Sequence, residues 1–145
     1  MSWAKLLADN RVTPLAPSKA ELDNLRSIVT RSLSDAGAPG LSADARFIFA
    51  YDAARTLSLL VVRAAGYRPR SVGAHYNTFL ALEAVDQRFA GLSIYFDSCR
   101  MKRNRCEYDL AGGLSDTDVE SLLKVVQQFA IDAEAWIKTH HPHLQ

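Results

Sequence analysis

Apolar residues recur at a helical interval in almost every long segment of this chain, and strand-like alternation persists nowhere. One run carries Leu22, Leu25, Ile28, Val29 and Leu33. A second carries Phe47, Ala50, Tyr51, Ala54, Leu57 and Val61. A third carries Leu82, Val85, Phe89, Leu92, Phe96 and Cys99. The last runs Val119, Leu122, Leu123, Val126, Phe129, Ala130, Ala133, Trp136 and Ile137. At about 100° per residue each set lies on one face of a helix, and such a face must be buried against another helix. Four long amphipathic helices with short connectors predict an all-α fold, an antiparallel four- to five-helix up-down bundle.

The punctuation agrees with that reading. Ser2 to Asn10 reads as a short helix that docks Trp3, Leu6 and Leu7, and the prolines of Thr13 to Pro17 break it. Ser18-Lys-Ala-Glu21 reads as a capping box, in which serine and glutamate satisfy the free amides at a helix start. That helix ends near Gly37. Ser42 caps the next, Gly66 stops it, and Tyr67 to Gly73 is a basic loop. A third long segment extends from about Ala74 to Tyr108, bent or broken near Gly91. Gly112-Gly113 ends it, and Ser115, with Asp116 and Asp118 in the first turn, opens the last helix. There is no repeat and no low-complexity tract. Residues 1–145 are expected to be one domain, with a short N-terminal helix over 2–10 and the bundle over 18–139.

At 145 residues such a domain can bury roughly two-thirds of its unfolded surface without disulfides or metals. A formal net charge of +1 creates no global field toward nucleic acid or membrane, so any anion binding needs a local patch. The longest apolar run, Leu57 to Val62, falls far short of the roughly 20 residues that span a bilayer. The start of the chain, with Lys5 and then polar Asn10 and Arg11, does not read as a secretion signal. Cys99 and Cys106 are seven residues apart on one predicted helix, about 10 Å of rise, beyond the roughly 7 Å a disulfide allows. A cytoplasmic setting with free thiols is the expectation.

One stretch departs from ordinary packing material. Continuing the third apolar stripe places Arg103 where the next core residue should stand, flanked by Arg100, Asn104, Glu107 and Tyr108. Guanidinium and carboxamide groups on an inward face are costly to desolvate unless something binds them. These five residues span about 140° of helix and can converge on one ligand, with arginine forks suited to phosphate and tyrosine suited to stacking. The plain alternative is a solvated helix end with an Arg103–Glu107 pair.

Other candidates carry weaker signals. Arg63, Arg68 and Arg70 form a second basic set whose plain role is solubility. His75 stands at a helix start, where a neutral imidazole can cap or orient the loop. His140, His141 and His143 lack a nearby carboxylate or cysteine to complete a coordination set, so no metal site is expected. Asp52 and Arg55 read as local surface pairs. Trp3, Phe129 and Trp136 could form an apolar interaction face, with core packing as the plain alternative. No nucleophile elbow, phosphate-cradling glycine loop or zinc motif occurs.

Taken in order, Arg46-Phe-Ile-Phe-Ala-Tyr51-Asp-Ala-Ala54, Gly66-Tyr-Arg68, His75 and Arg103-Asn104-x-x-x-Tyr108-Asp109 resemble the HEPN domain superfamily of prokaryotic defence and toxin–antitoxin systems. The likeness spans roughly Ser18 to Ile137. It implies a bundle of four or five helices, commonly dimeric, that binds RNA or a nucleotide and works beside a nucleotidyltransferase-like partner. Many members are metal-independent ribonucleases that use an arginine, the polar residue beside it and a histidine four to six residues further on. Arg103 and Asn104 match the first two positions, and Tyr108 stands at the third.

Tyrosine titrates near 10, far from the near-neutral pKa that suits proton transfer, and losing a general acid or base typically costs 10²–10⁴-fold. The resemblance therefore implies a homodimeric, RNA- or nucleotide-binding protein, the toxin-like or accessory half of a pair, rather than an efficient nuclease. Arg100, Arg103, Asn104, Tyr108, Arg68 and His75 are its expected binding residues. No cofactor is expected. Were it an enzyme, it would be a metal-independent endoribonuclease working through Arg103, Asn104 and Tyr108, with Tyr108 or His75 supplying the missing group. A third expectation is a non-catalytic dimeric interaction module.

Overall fold

The computed structural model of the chain describes residues 1–108 and 111–145, apart from the side chains of Glu107 and Tyr108. It is an all-α bundle. Helix α1 spans Trp3–Ala8, α2 Lys19–Ala36, α3 Ala43–Ala64, α4 Ala74–Val85, α5 Ala90–Tyr108 and α6 Asp116–His140. Ser2, Ser18, Ser42 and Ser115 each accept a backbone N–H from three residues on, and so cap α1, α2, α3 and α6. At Ser115 the box is complete, because Asp118 also reaches back to the cap residue's N–H. At Ser18 it is not. Glu21 turns away to Arg63, whose buried guanidinium competes successfully for that carboxylate.

Helix α3 occupies the centre. Residues on nearly all its faces are buried, as expected of a helix surrounded by others, here α2, α4, α5 and α6. Helices α2 and α3 run antiparallel, joined at one end by Arg63–Glu21 and at the other by Arg46 donating to the Ala36 carbonyl. The core is aromatic where α4, α5 and α6 meet: Phe79, Phe89, Phe96 and Phe129 lie with ring centres 5.1–5.8 Å apart along the chain of contacts. Phe129 and Trp136 are 1% and 4% exposed, and Trp3 stacks on Tyr67 at 3.9 Å, so these aromatics serve the interior and do not form an outer face. Among the described residues no helix is long and apolar enough to cross a membrane.

Two local features depart from the periodicity. Val12–Pro14 and Tyr67–Pro69 form a small antiparallel ladder, β1 and β2, with Thr13 opposite Arg68. Three-residue strands are too short to show alternation, and each ends on a proline, which only an edge strand tolerates. The third long segment also breaks, at Asp86 rather than Gly91. Asp86 is extended, and its carboxylate accepts from the Arg88 N–H at 2.8 Å to open a 3₁₀ turn over Gln87–Phe89 that leads into α5. Gly91 lies quietly inside α5.

That break sends α5 back along α4. The ladder meanwhile returns the chain from the end of α3 to its middle, so α4 starts beside Tyr51 and runs on toward Val62, whose small core it joins through Ala81. Up-and-down alternation thus holds from α2 to α3 and through α4, α5 and α6, with one interruption between α3 and α4. The interruption positions the site.

Candidate functional site

Three helices bring charge and aromatic groups to one junction. From α3 come Tyr51 and Arg55, one turn apart on the same face. From the first turn of α4 comes His75, and from α5 come Arg100 and Arg103. Tyr51 is fully buried, and its hydroxyl lies 3.0 Å from His75 Nδ1. The Arg103 guanidinium stands over the Tyr51 ring, 5.8 Å from its centre, and that of Arg100 stands 5.7 Å from the centre of Tyr76.

Gly73 enables the close entry of α4. It takes φ +69°, in the left-handed region that glycine occupies most easily, and offers no side-chain cap. Buried Asn77 does the pinning: its amide donates to the carbonyls of Arg70 and Val72, and its own oxygen accepts from Arg11 Nη1 at 3.1 Å.

Electrostatics follow from the packing. Burial, and then the charges of Arg55, Arg103 and Arg100, push the His75 pKa down to about 4, so the imidazole is neutral at pH 7. Burial raises the Tyr51 phenol against the pull of the same three arginines, and it keeps its proton. Among the described residues that hydroxyl has one hydrogen-bond partner, His75 Nδ1. The junction presents three guanidiniums, all of them donors, beside a neutral imidazole. Arg55 Nε is also buried and finds no acceptor among the described residues. A buried donor without an acceptor is rare, and a ligand oxygen would satisfy it.

The expected site residues are only partly gathered here. Arg103 is half-buried and donates to its neighbour Asn104 at 3.3 Å; Arg100 is held by Asp97 at 2.7 Å. The side chains of Tyr108 and Glu107 lie outside the described residues, and the expected Arg103–Glu107 pair with them. His75 meets Tyr51 instead of capping its loop. Arg68 is exposed on β2, among Thr13, Pro69, Arg70 and Ser71, away from Arg103. Arg63 is no surface charge: it is 3% exposed, with Glu21 and the carbonyls of Leu15, Ala16 and Tyr67 around it. His140 and His141 pack against the Trp136 ring.

Sequence reasoning missed Tyr51, Arg55, Tyr76, Arg11 and Asn77 as site residues. Arg55 was expected in a local surface pair with Asp52, yet it is half-buried and its charge acts on both His75 and Tyr51. One signal was available. Arg55 is the lone cation between Arg46 and Arg63 on the most buried helix.

No family model matches the chain, and no curated protein or solved structure matches it either. The fold class is an all-α helical bundle.

Proposed function

We propose that this protein binds RNA or a nucleotide through phosphate held at the α3–α4–α5 junction, as a HEPN-like toxin or accessory half of a defence pair. The observation that carries this reading is the set of donors around His75: Arg55, Arg100 and Arg103, with Arg55 Nε buried and without an acceptor among the described residues. A buried donor with no acceptor among the described residues is costly, and a phosphate oxygen would offset that cost. A homodimer and a nucleotidyltransferase-like partner belong to the same family reading, and a cytoplasmic location is supported by the reduced thiols of Cys99 and Cys106.

Binding of fluorescein-labelled RNA, followed by anisotropy, tests it. Arg103→Ala and Arg55→Met should each weaken binding about tenfold, a typical value for one charge-assisted contact. Unchanged affinity in both variants removes the site.

One observation favours a second reading, metal-independent RNA cleavage. His75 stands beside Arg103, where a proton carrier would be needed. Its Nδ1 is engaged by Tyr51, however, and burial holds the ring pKa at about 4, far from the near-neutral value that suits proton transfer. Binding is therefore preferred over cleavage. Cutting of RNA in excess EDTA that His75→Gln abolishes would reverse that preference.

A further inference from the structure

The cationic surface does not stop at the junction. Tyr76 follows His75 directly and is 37% exposed. Two guanidiniums from distant parts of the chain stand over its ring, Arg100 of α5 at 5.7 Å and Arg11, just before β1, at 5.2 Å. Arg11 continues the path. It holds Asn77 through Nη1, and its carbonyl accepts the Arg70 N–H at 2.8 Å, so Arg70 is fixed beside it. Arg11, Arg70 and Asn77 line a cavity of about 320 Å³ together with Ser71 and Val72.

Among the described residues the acids along this path are engaged. Asp9 borders the cavity but faces Lys5 at 3.2 Å, Asp97 is held by Arg100, and Asp52, whose charge reaches Tyr51, has a partner of its own. Neither Arg11 nor Arg70 makes an ion pair among the described residues. A bent row of arginines with an aromatic ring between two of them has more positions than one mononucleotide can fill. It also bends into a concavity, whereas a duplex presents a regular helical surface with its bases hidden.

Resting on the phosphate-binding reading above, we propose that the junction is one end of a track for single-stranded polynucleotide. Arg55, Arg103 and His75 take one phosphate, Arg100 and Arg11 take the next across Tyr76, and Arg70 takes a third at the cavity, which accepts a splayed base.

Length dependence tests it. UMP and 3′-fluorescein oligouridylates of two, four and eight nucleotides are titrated against the wild-type protein, Arg103→Ala, Arg70→Ala and Arg11→Ala/Arg70→Ala, with Arg31→Ala as the surface control. An eight-nucleotide duplex serves as competitor, and thermal melts verify folding. Affinity should rise from the dinucleotide to the octamer. The double variant should lose about tenfold for the octamer and distinctly less for UMP, with the slope of log affinity on log salt falling by about 1.4, or 0.7 for each lost phosphate contact. Arg70, whose exposed side chain makes no hydrogen bond among the described residues, supplies a single variant that should shift the slope by about 0.7 without disturbing the fold.

Binding that needs Arg103 yet ignores both length and Arg70 overturns the track and leaves the phosphate site standing. A duplex that outcompetes the single strand also overturns it. Failure of every probe to bind, or an Arg103→Ala variant indistinguishable from wild type, overturns the phosphate site itself and the track with it.

Discussion

Arg63 lies two turns beyond Arg55 on α3, and each is a cation on the central helix. Arg63 donates to both oxygens of Glu21 and to three backbone carbonyls, so each N–H that burial takes from water is matched by an acceptor. Its acceptors are the connector before α2, the first turn of α2 and the residue that opens β2. It ties these together. Arg55 faces two more arginines and a neutral histidine, and its buried Nε has no acceptor among the described residues. Burial alone does not separate a structural arginine from a binding one. The presence of a built-in acceptor does.

Substitution at the two positions should sharpen that contrast, because stability is expected to change in opposite directions. Arg63→Ala removes five hydrogen bonds and strips acceptors of their donor; a loss of about 3 kcal/mol, roughly 10 °C in melting temperature, is expected from urea and thermal unfolding. A loss below about 0.5 kcal/mol would put Arg63 among ordinary surface charges. Arg55→Met keeps the aliphatic volume and removes a guanidinium whose buried Nε has no acceptor among the described residues. The empty protein should gain about 0.5 kcal/mol in the same measurement while its RNA affinity falls. A clear destabilisation would show that Arg55, like Arg63, serves the fold.

Acidity offers a second way to break the comparison. The folded pKa of His75, about 4, lies below the 6.5 of an exposed histidine. Between those values the unfolded chain binds a proton that the folded chain refuses, so stability rises with pH through this window and levels off above it. The groups acting on His75 are Arg55 and Tyr51 on α3 and Arg100 and Arg103 on α5. His75→Gln should reduce the rise of the urea midpoint between pH 5 and 7, where most carboxylates have already ionised, leaving the part due to His141, whose pKa burial also lowers. If the variant keeps the full slope, His75 is not held among the cations. Bound phosphate should move the His75 resonances to a higher titration midpoint by NMR.

A smaller effect than that at Arg63 belongs to Tyr51→Phe. Removing the buried hydroxyl frees His75 Nδ1 and costs about 1 kcal/mol. Any gain of metal-free RNA cleavage in that variant would mean that the hydroxyl had been silencing the imidazole as a base.

How much was legible depended on how local the cause was. Ser42 and Ser115 announce their helices because a cap acts within three residues. Ser18 announces its helix too, but the role of Glu21 was decided by Arg63, 42 residues away. The break at Asp86 had a readable cap-type residue, overshadowed by the more familiar breaker at Gly91. Arg103 stood out because it interrupts an apolar stripe. Arg11 and Tyr76 did not, since nothing in the chain order brings a residue before β1 to a ring on α4.

Periodicity, caps and turn residues therefore determined by themselves that this chain forms packed helices, because each acts over a few bonds and is written in consecutive residues. Which arginine meets a carboxylate, and which faces other arginines, was decided by the return of the chain between α3 and α4 and the reversal at Asp86. Electrostatic partnership depends on distance through space, and that distance exists only once the helices have packed.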